Sequence, residues 1–311
     1  MRVLVTGGAG FIGSHLCEAL VARGDAVTVL DDFNSFYDPA LKRQNIAALV
    51  SANRIRLVEG DICLRADVEA ALGKDTEAVV HLAARAGVRP SIAEPVLYSQ
   101  VNVTGTQVVL EAARLSRVKR FVFGSSSSVY GARSKAPFSE DDKVDRPISP
   151  YAATKIAGEM LCAAYRSLHP MECVGLRFFT VFGPRQRPDL AIAKFSRLLR
   201  EGKALPFFGT GETARDYTFV EDIVRGIVAA VDKSWPEFEA INLGGAHPTK
   251  LTELVAALEV ALGVKAKLDR KPDQPGDVPL TAADTRKAKA LLGWEPKVSL
   301  AEGLRRYAEW L

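Results

Sequence analysis

The sequence has few cysteines and no long apolar run, and each shortage excludes a class of protein. Its four cysteines are far apart in the 311 residues, at Cys17, Cys63, Cys162 and Cys173. Their spacing fits neither a disulfide framework nor a zinc site, so we expect no metal and a reducing, cytoplasmic location. Gly, Arg or Asp interrupts every apolar run before the ~18 residues that a membrane span needs, and no leader pattern is present, so we expect no membrane partner.

An excess of charge of one sign is also missing. The 41 Lys+Arg stand against 37 Asp+Glu, for a formal net charge of +4. Basic residues form no block and no run interleaved with aromatics, so we expect no nucleic-acid partner and favour a small anion. With 48% apolar residues, the chain can bury a large core in one large domain or two unequal ones.

Apolar runs alternate with longer amphipathic segments over the first 180 residues. The predicted strands are 2–6, 26–31, 55–59, 78–82, 120–125 and 173–178, and the predicted helices are 12–23, 96–114 and 150–167. This alternation is typical of right-handed βαβ units, in which helices cover both faces of a parallel sheet. We therefore predict an α/β fold with a doubly wound parallel sheet.

Beyond residue 180 the alternation gives way to connections rich in Pro and Gly, such as Gly183-Pro184. We predict a large domain over residues 1–180, to which residues 219–246 return as a helix and a strand. The rest forms a smaller, discontinuous lobe made of residues 181–218 and 247–311. A cleft between two such units is a usual place for a ligand.

A glycine-rich turn follows the first predicted strand. Gly7, Gly10 and Gly13 lead into a helix, a context in which a pyrophosphate sits on the helix N-terminus. The second strand ends in Asp31-Asp32, where a carboxylate accepts ribose hydroxyls and repels a 2′-phosphate. A tight turn and a solvated acid are the alternatives when each motif is taken alone. Together they predict NAD rather than NADP, bound by Gly7, Gly10, Phe11, Ile12, Gly13, Asp31 and Asp32.

A tyrosine and a lysine stand one helical turn apart, at Tyr151 and Lys155, behind the predicted helix start Ser149-Pro150. An ammonium near a phenol lowers a pKa that is ordinarily about 10, as does the positive nicotinamide of an oxidised cofactor. Tyr151 then serves as a base near neutral pH. Alone, this pattern is a common helix-surface pair, but the glycine turn and the serine-rich strand end at 124–131 argue against chance.

Taken together, these motifs resemble the extended short-chain dehydrogenase/reductase family, over essentially the whole chain. The matching stretches are 6–13, 81–84, 102, 125–131, 151–155, 176–184, 215–217 and 292–294. Within the family the chain is similar to UDP-glucuronate 4-epimerases, through residues 32–41, 86–89, 178–182, 187–189 and 274–278. The resemblance implies a Rossmann fold, an NAD cofactor, a UDP-sugar substrate and a homodimer joined through helices 96–114 and 150–167.

The resemblance also implies roles for individual residues. It implies Ser126 as the hydroxyl partner of Tyr151, Lys155 as the group that orients the nicotinamide ribose, and Arg215 facing the substrate diphosphate. It places Asp61 and Ile62 beside adenine. The other residues expected to bind are Ala83 for the cofactor and Arg85, Ser127, Ser128, Thr180, Arg185 and Gln274 for the substrate.

Small or neutral polar residues stand where related enzymes carry other groups. UDP-galactose 4-epimerases commonly place Asn where this chain has Thr180 and Arg near Gln274. Dehydratases carry Asp-Glu, and decarboxylases a Glu, where Ser127-Ser128 stands, so the further acid and base that dehydration needs are absent. As hydrogen-bond donors, the two serines and Thr180 suit a sugar carboxylate, although capping of turns is the alternative.

The predicted activity is NAD-dependent 4-epimerisation of UDP-glucuronate to UDP-galacturonate through a transient 4-keto sugar. Tyr151 removes the 4-hydroxyl proton as hydride passes from C4 to NAD+, and the UDP anchors the sugar while it turns. Arg185 and Arg187 suit phosphate or carboxylate, with solvated loop arginines as the alternative. The competing predictions are a neutral-sugar 4-epimerase, a UDP-glucuronate decarboxylase, and a non-catalytic NAD-binding regulator on the same fold.

Overall fold

The computed structural model describes residues 1–132, 135–272 and 278–311. Its strands are β1 (Arg2–Thr6), β2 (Ala26–Asp31), β3 (Ile55–Glu59), β4 (Ala78–His81), β5 (Arg120–Ser126), β6 (Glu172–Phe178), β7 (Thr180–Phe182), β8 (Leu205–Phe208), β9 (Ala214–Phe219), β10 (Glu239–Leu243), β11 (Pro248–Lys250) and β12 (Leu268–Lys271). Its α-helices are α1 (Phe11–Ala22), α2 (Pro39–Ser51), α3 (Arg65–Ala71), α4 (Val88–Ala93), α5 (Pro95–Ser99), α6 (Thr106–Leu115), α7 (Pro150–Leu168), α8 (Ala191–Arg200), α9 (Val220–Asp232), α10 (Leu251–Leu262), α11 (Arg286–Leu292) and α12 (Leu300–Trp310).

Seven of these strands form one sheet in the order β10-β6-β5-β4-β1-β2-β3, and every neighbouring pair is parallel. The order reverses between β1 and β4, so the carboxyl ends of these two strands open a crevice at the switch point. The predicted α/β fold with a doubly wound parallel sheet is confirmed. The ligand site of such a sheet is expected at this crevice.

The alternation of side chains along β1 shows how the sheet is covered on both faces. Val3 and Val5 belong to a core shared with α1 and α9, whereas Leu4 belongs to the opposite core, with α3, α6 and α7. Strands buried on both faces read as continuous apolar runs, which is why β1 was visible in the sequence. The short sheets β11-β9-β7 and β12-β8 lie beyond the large one.

The segments of the predicted smaller lobe share the first of these cores. Leu254 of α10 and Tyr307 of α12 are buried in the same cluster as Val3 and Val5. The return of α9 and β10 is seen in the pairing of β10 with β6, from Glu239 opposite Val174 to Leu243 opposite Phe178. The division into two domains stays a prediction.

The helix predicted over residues 96–114 is interrupted, so the prediction of one regular helix is wrong. After α5 the chain makes a π-helical turn over Gln100–Gly105, and α6 follows. In this turn the buried Asn102 accepts a hydrogen bond from the Arg85 backbone N–H at 2.8 Å and donates one to the Arg85 carbonyl at 2.9 Å. A π turn adds one residue to a helical turn, and apolar periodicity does not detect such an insertion.

Three findings concern thiols, metals and membranes. The four cysteines, all within the part of the chain that the structure covers, are unpaired. Over residues 1–132, 135–272 and 278–311, no group of three or more His, Cys, Asp or Glu is arranged to hold a metal ion. Over the same residues, none of the helices has the length and apolarity that crossing a membrane requires.

Candidate active site

A cavity of about 480 Å³ lies at the carboxyl ends of the strands, on both sides of the switch point. It collects residues from segments that are far apart in the sequence. The predicted site residues among those that line it are Gly7, Gly10, Phe11, Ile12, Gly13, Asp31, Asp32, Asp61, Ile62, Ala83, Arg85, Ser126, Ser127, Ser128, Tyr151, Lys155 and Thr180. We call the part formed by residues 7–13 the glycine end, and the part formed by residues 126–128, Tyr151 and Thr180 the hydroxyl end.

At the glycine end the chain leaves no space for a side chain at Gly7 or Gly13. Gly7 has φ +71°, and a Cβ there would lie 2.7 Å from the Ala83 nitrogen. A Cβ on Gly13 would lie 2.2 Å from the Gly7 carbonyl oxygen. Gly10 precedes α1 and gives it no side-chain cap, so the first amides of α1 keep their hydrogens for a ligand. Such a cradle fits a dinucleotide pyrophosphate.

The end of β2 fixes one carboxylate beside this cradle. Asp31 accepts hydrogen bonds from the backbone N–H groups of Ala9 and Phe33, each at 3.0 Å, one on each carboxylate oxygen. Burial raises the pKa of Asp31, and the two N–H groups and the Lys42 ammonium oppose that rise. Asp32 is exposed, and its Oδ1 accepts hydrogen bonds from the backbone and side chain of Asn34. Asp31 is therefore the carboxylate whose position the fold determines.

At the hydroxyl end, β5 runs directly into a 3-10 turn over Ser127–Tyr130. The Ser126 hydroxyl accepts a hydrogen bond from the Ser128 backbone N–H at 3.2 Å and donates one to Ser128 Oγ at 3.1 Å. Ser126 thus caps the turn and, with Ser127, Ser128 and Thr180, also lines the cavity. Neutral hydroxyls converge there from β5 and β7.

The start of α7 is the predicted one, with Ser149 as its cap and Pro150 as its first residue. Ser149 Oγ accepts a hydrogen bond from the Ala152 N–H at 3.1 Å. Lys155 Nζ lies 5.9 Å from the centre of the Tyr151 ring and donates to the Gly124 carbonyl oxygen at 2.7 Å. Both side chains reach the same cavity, as their spacing predicts.

Burial is the main influence on the pKa values of this pair. Burial raises the pKa of Tyr151, and a hydrogen bond with Ser126 and the charge of Arg187 oppose that rise. Burial also lowers the pKa of Lys155 to about 8, opposed by the carboxylate of Glu159. In the protein alone, burial therefore outweighs the groups that lower the pKa of Tyr151. That Lys155 and an oxidised nicotinamide together lower this pKa stays a prediction.

Two of the predicted substrate residues, Arg185 and Arg215, are not brought to this cavity. Arg185 Nη2 pairs with Glu18 at 2.5 Å and lines a second, smaller cavity together with Trp310. Its backbone is in the left-handed region, with φ +64°, where the chain turns. Arg215 lies on β9 outside the lining of the main cavity, and its Nη1 donates to the Ala214 carbonyl. Gln274 lies outside the described residues.

Of the two loop arginines, Arg187 is the one that lines the main cavity. Its guanidinium pairs with Asp189 at 2.8 Å and lies 5.4 Å from the centre of the Phe36 ring. Phe36 and Tyr37 also line the cavity, from the loop that precedes α2. Lys42, buried against the Asn34 carbonyl at 2.9 Å, was missed because one lysine in a helix gives no sequence signal.

Comparison with known proteins places this arrangement among enzymes that act on nucleotide sugars. The family model described as GDP-mannose 4,6 dehydratase matches residues 4–307. UDP-glucuronate 4-epimerase 3 of Arabidopsis thaliana is 42% identical, with 99% of this chain and 76% of that protein covered. UDP-glucuronate 4-epimerase of Thermodesulfobacterium geofontis is 41% identical, with 99% of this chain and 95% of that protein covered.

Solved structures agree with the sequence relatives. UDP-glucuronic acid 4-epimerase from Bacillus cereus, in complex with UDP-glucuronic acid and NAD, superposes with a TM-score of 0.93 at 39% identity, covering 100% of this chain and 98% of that one. UDP-glucose 4-epimerase from Thermotoga maritima, with UDP-glucose, superposes with a TM-score of 0.91 at 34% identity and the same coverage. Enzymes of both uronates and neutral sugars therefore share this fold.

Proposed function

We propose that the chain interconverts UDP-glucuronate and UDP-galacturonate, because it belongs to the extended short-chain dehydrogenase/reductase family of NAD-dependent sugar epimerases. The activity of an NAD-dependent nucleotide-sugar 4-epimerase follows from that membership. The choice of a uronate is the proposed part. It is supported by one observation above all, the neutral hydroxyls of Ser127, Ser128 and Thr180 in the lining of the cavity.

The glycine end suits NAD because its backbone amides and the fixed carboxylate of Asp31 match a pyrophosphate and a ribose. When bound, NAD supplies the acceptor and then the donor of hydride for C4 of the sugar. Lys155 and Tyr151 reach the cavity from one face of α7, beside the carboxyl end of β5. We assign Lys155 to the orientation of the nicotinamide ribose.

Tyr151 takes the proton of the 4-hydroxyl when C4 is oxidised and returns it when C4 is reduced on the other face. Its pKa must fall for the first of these steps, since burial holds it above the ordinary value of a phenol. The hydrogen bond with Ser126 and the charge of Arg187 act in that direction, and the positive charge of the oxidised nicotinamide adds to them. The substrate complex is thus the state in which Tyr151 becomes a base.

The carboxylate attached to C5 of a uronate is negatively charged, so neutral hydrogen-bond donors in the cavity suit it better than acidic side chains. Oxidation at C4 turns the uronate into a β-keto acid, which tends to lose carbon dioxide before the hydride returns. Hydroxyls of Ser127, Ser128 and Thr180 hold the carboxylate ionised and in one place, whereas a glutamate there would repel it. The relatives named above as UDP-glucuronate 4-epimerases add support for this substrate.

Dehydration is disfavoured although the matching family model carries the description of a dehydratase. Among the described residues that line the cavity, the carboxylates are Asp31, Asp32 and Asp61, and the first two stand at the end of β2 beside the glycine turn. We assign Asp61 to the adenine. No lining carboxylate in the described part of the chain is then left to protonate a leaving hydroxyl beside Tyr151. Epimerisation of a neutral sugar stays the second candidate, since hydroxyl donors also suit a 6-hydroxyl.

Incubation with a panel of UDP-sugars, followed by NMR identification of the products, tests the proposal. We expect UDP-glucuronate to give UDP-galacturonate with almost no UDP-pentose and with no added oxidant. Main products such as UDP-xylose or a 4-keto pentose would contradict it, as would rejection of UDP-glucuronate with turnover of UDP-galactose. Bound dinucleotide with no turnover of any UDP-sugar would favour a non-catalytic NAD-binding regulator on the same fold.

A matched substitution tests the hydroxyls themselves. Ser128→Glu is expected to impair epimerisation or to divert the 4-keto sugar towards decarboxylation, because the added carboxylate repels that of the substrate. Ser139→Glu, in a turn outside the cavity lining, is the control for the added charge. Unchanged product in the Ser128 variant would remove this serine from carboxylate binding.

We also propose a homodimer joined through α7 and the helical segment of α5 and α6. Apolar side chains are exposed there, with Val96 at 78%, Met160 at 52% and Leu168 at 74%. These side chains lie on helices that pack against one another, and several large apolar residues exposed on neighbouring elements suit an interaction site. Light scattering that finds a monomer at micromolar concentration would contradict this arrangement. The cytoplasmic location remains a proposal that rests on the four unpaired thiols.

A further inference from the structure

A fully buried ion pair lies directly behind the hydroxyl end. Arg177 of β6 donates from Nη2 to Glu159 Oε2 at 2.8 Å and from Nε to Glu159 Oε1 at 2.9 Å. The two side chains are 4% and 0% exposed. A buried pair is costly unless its remaining donors and acceptors are also satisfied, so its further partners are informative.

The further partners stand on both sides of the serine segment, which we define as residues 126–128. Ser125 comes immediately before the segment, and its hydroxyl donates to Glu159 Oε1 at 2.6 Å. Tyr130 closes the turn that follows, and its hydroxyl accepts a hydrogen bond from Arg177 Nη1 at 2.9 Å. One ion pair therefore fixes the chain at both ends of the serine segment.

The same pair joins the segment to the helix of the base and to more distant strands. Glu159 lies on α7 one helical turn beyond Lys155. From Tyr130 the hydrogen bonds continue to Asn242 Oδ1 on β10, at 2.7 Å, and from Asn242 Nδ2 to the Asp284 carbonyl, at 3.2 Å. The position of the serine segment is thus determined by packing behind the cavity.

We propose that the Glu159–Arg177 pair positions the serine segment, and that this position determines how much of the 4-keto uronate keeps its carboxylate. The inference rests on the proposed uronate function. Loss of carbon dioxide breaks the C5–C6 bond, leaves the electron pair as an enolate conjugated with the 4-keto oxygen, and adds a solvent proton at C5. This bond breaks fastest when it is aligned with the carbonyl π orbital, so fixed hydroxyls that hold it away from that alignment protect the intermediate.

Two substitutions test the inference, and each removes one hydrogen bond between the Glu159–Arg177 pair and a residue that flanks the serine segment. Ser125→Ala removes the hydrogen bond to Glu159, and Tyr130→Phe removes the hydrogen bond with Arg177. The control for the first is Ser234→Ala, which loses a Ser–Glu hydrogen bond to Glu172 at 2.5 Å, next to the amino end of β6. The control for the second is Tyr307→Phe in the buried core.

The measurement is the share of UDP-pentose plus 4-keto pentose among the products of UDP-glucuronate, by NMR, with thermal midpoints and NAD affinity alongside. We expect this share to rise about tenfold in Ser125→Ala and in Tyr130→Phe, since loss of one hydrogen bond to a charged group corresponds to roughly that factor. Both controls should keep the wild-type share. A structural defect alone would lower the midpoint and total turnover without changing the product ratio.

The outcomes separate this inference from the proposed function. Wild-type protein that makes no UDP-galacturonate would overturn the uronate proposal, and the inference with it, before any variant is made. A wild-type uronate epimerase whose two variants match their controls in product ratio would overturn only the positioning role. If Tyr130→Phe fails to fold, Ser125→Ala decides the question alone.

Discussion

The two ends of the cavity differ in how the chain forms them: one comes from a single short stretch of chain, the other from side chains of several elements. At the glycine end the ligand would meet Gly7, Gly10 and the first turn of α1, residues 11–13, all within one short stretch of chain. At the hydroxyl end it would meet side chains that come from β5, β7 and α7, up to 54 residues apart from Ser126 to Thr180. The first end depends on local geometry that admits no side chain at Gly7 or Gly13. The second depends on tertiary packing, which allows its chemistry to change while the cofactor site stays the same.

The largest expected effect tests whether the two ends act independently, by removing the acid/base group of the hydroxyl end only. Tyr151→Phe should lower turnover by about 10²- to 10⁴-fold, as removal of an acid/base group typically does, while NAD affinity stays near that of the wild type. Turnover by NMR and NAD binding by calorimetry measure the two ends separately. Near-wild-type turnover would remove Tyr151 from the mechanism, and lost NAD binding would show that the ends are coupled.

The complementary test damages the glycine end. Gly13→Ala places a Cβ 2.2 Å from the Gly7 carbonyl oxygen, so the turn must shift. We expect NAD to bind about ten- to a hundredfold more weakly, the effect of an overpacked contact. Gly73→Ala is the control, because its Cβ meets nothing closer than Thr76 Oγ1 at 3.7 Å. Equal NAD affinity in the two variants would mean that the turn is not the cradle.

The carboxylate at the end of β2 gives a third test, on cofactor choice. Both oxygens of Asp31 are held by backbone N–H groups, so the carboxylate has no freedom to avoid a 2′-phosphate. We expect NADP to bind at least about tenfold more weakly than NAD, because like charges in contact cost several kcal/mol. Calorimetry with both dinucleotides measures this, and equal affinities would contradict it.

The smallest expected effect is on the pH dependence of kcat/KM, through Lys155, whose side chain reaches the cavity from α7. The pKa of Lys155 is about 8, so the protonated lysine is lost as pH rises through that value and kcat/KM should fall there. The Glu159 carboxylate raises this pKa. In Glu159→Gln the pKa of Lys155 falls further, and the alkaline limb of the profile should move to lower pH. A limb that stays in place or moves to higher pH would exclude this coupling.

The same contrast explains what the sequence could predict. The geometry of Gly7 and Gly13 is local to one turn, and the cap at Ser149 acts within one helical turn, so their spacing was sufficient to predict both features. The role of the glycine turn as a cofactor site stays a prediction. Arg185 was expected at the substrate but turns away, because the direction of a loop side chain depends on the tertiary path of its backbone.

The ion pair behind the hydroxyl end has a signal in the sequence. Arg177 stands inside the apolar strand Glu172–Phe178, and an arginine in such a place is almost never buried without a partner. The identity of that partner was not accessible, since Glu159 is joined to it through space across α7 and β6. The signal predicts that a buried pair exists, and the fold determines what it holds.

The Ser126 hydroxyl has one hydrogen, and two neighbouring groups, Ser128 Oγ and the Tyr151 hydroxyl, are able to accept it. In the structure that hydrogen points to Ser128 Oγ, while a hydrogen bond with Tyr151 favours the ionised phenol. A hydroxyl rotates freely, so ionisation of Tyr151 would draw the hydrogen away from Ser128. Once Tyr151 has taken the proton of the 4-hydroxyl and the sugar is a keto acid, the neutral phenol no longer draws this hydrogen, which would return to Ser128 Oγ. The Ser126–Ser128 hydrogen bond that orients the Ser128 hydroxyl would then be restored in the state whose carboxylate this serine is proposed to hold.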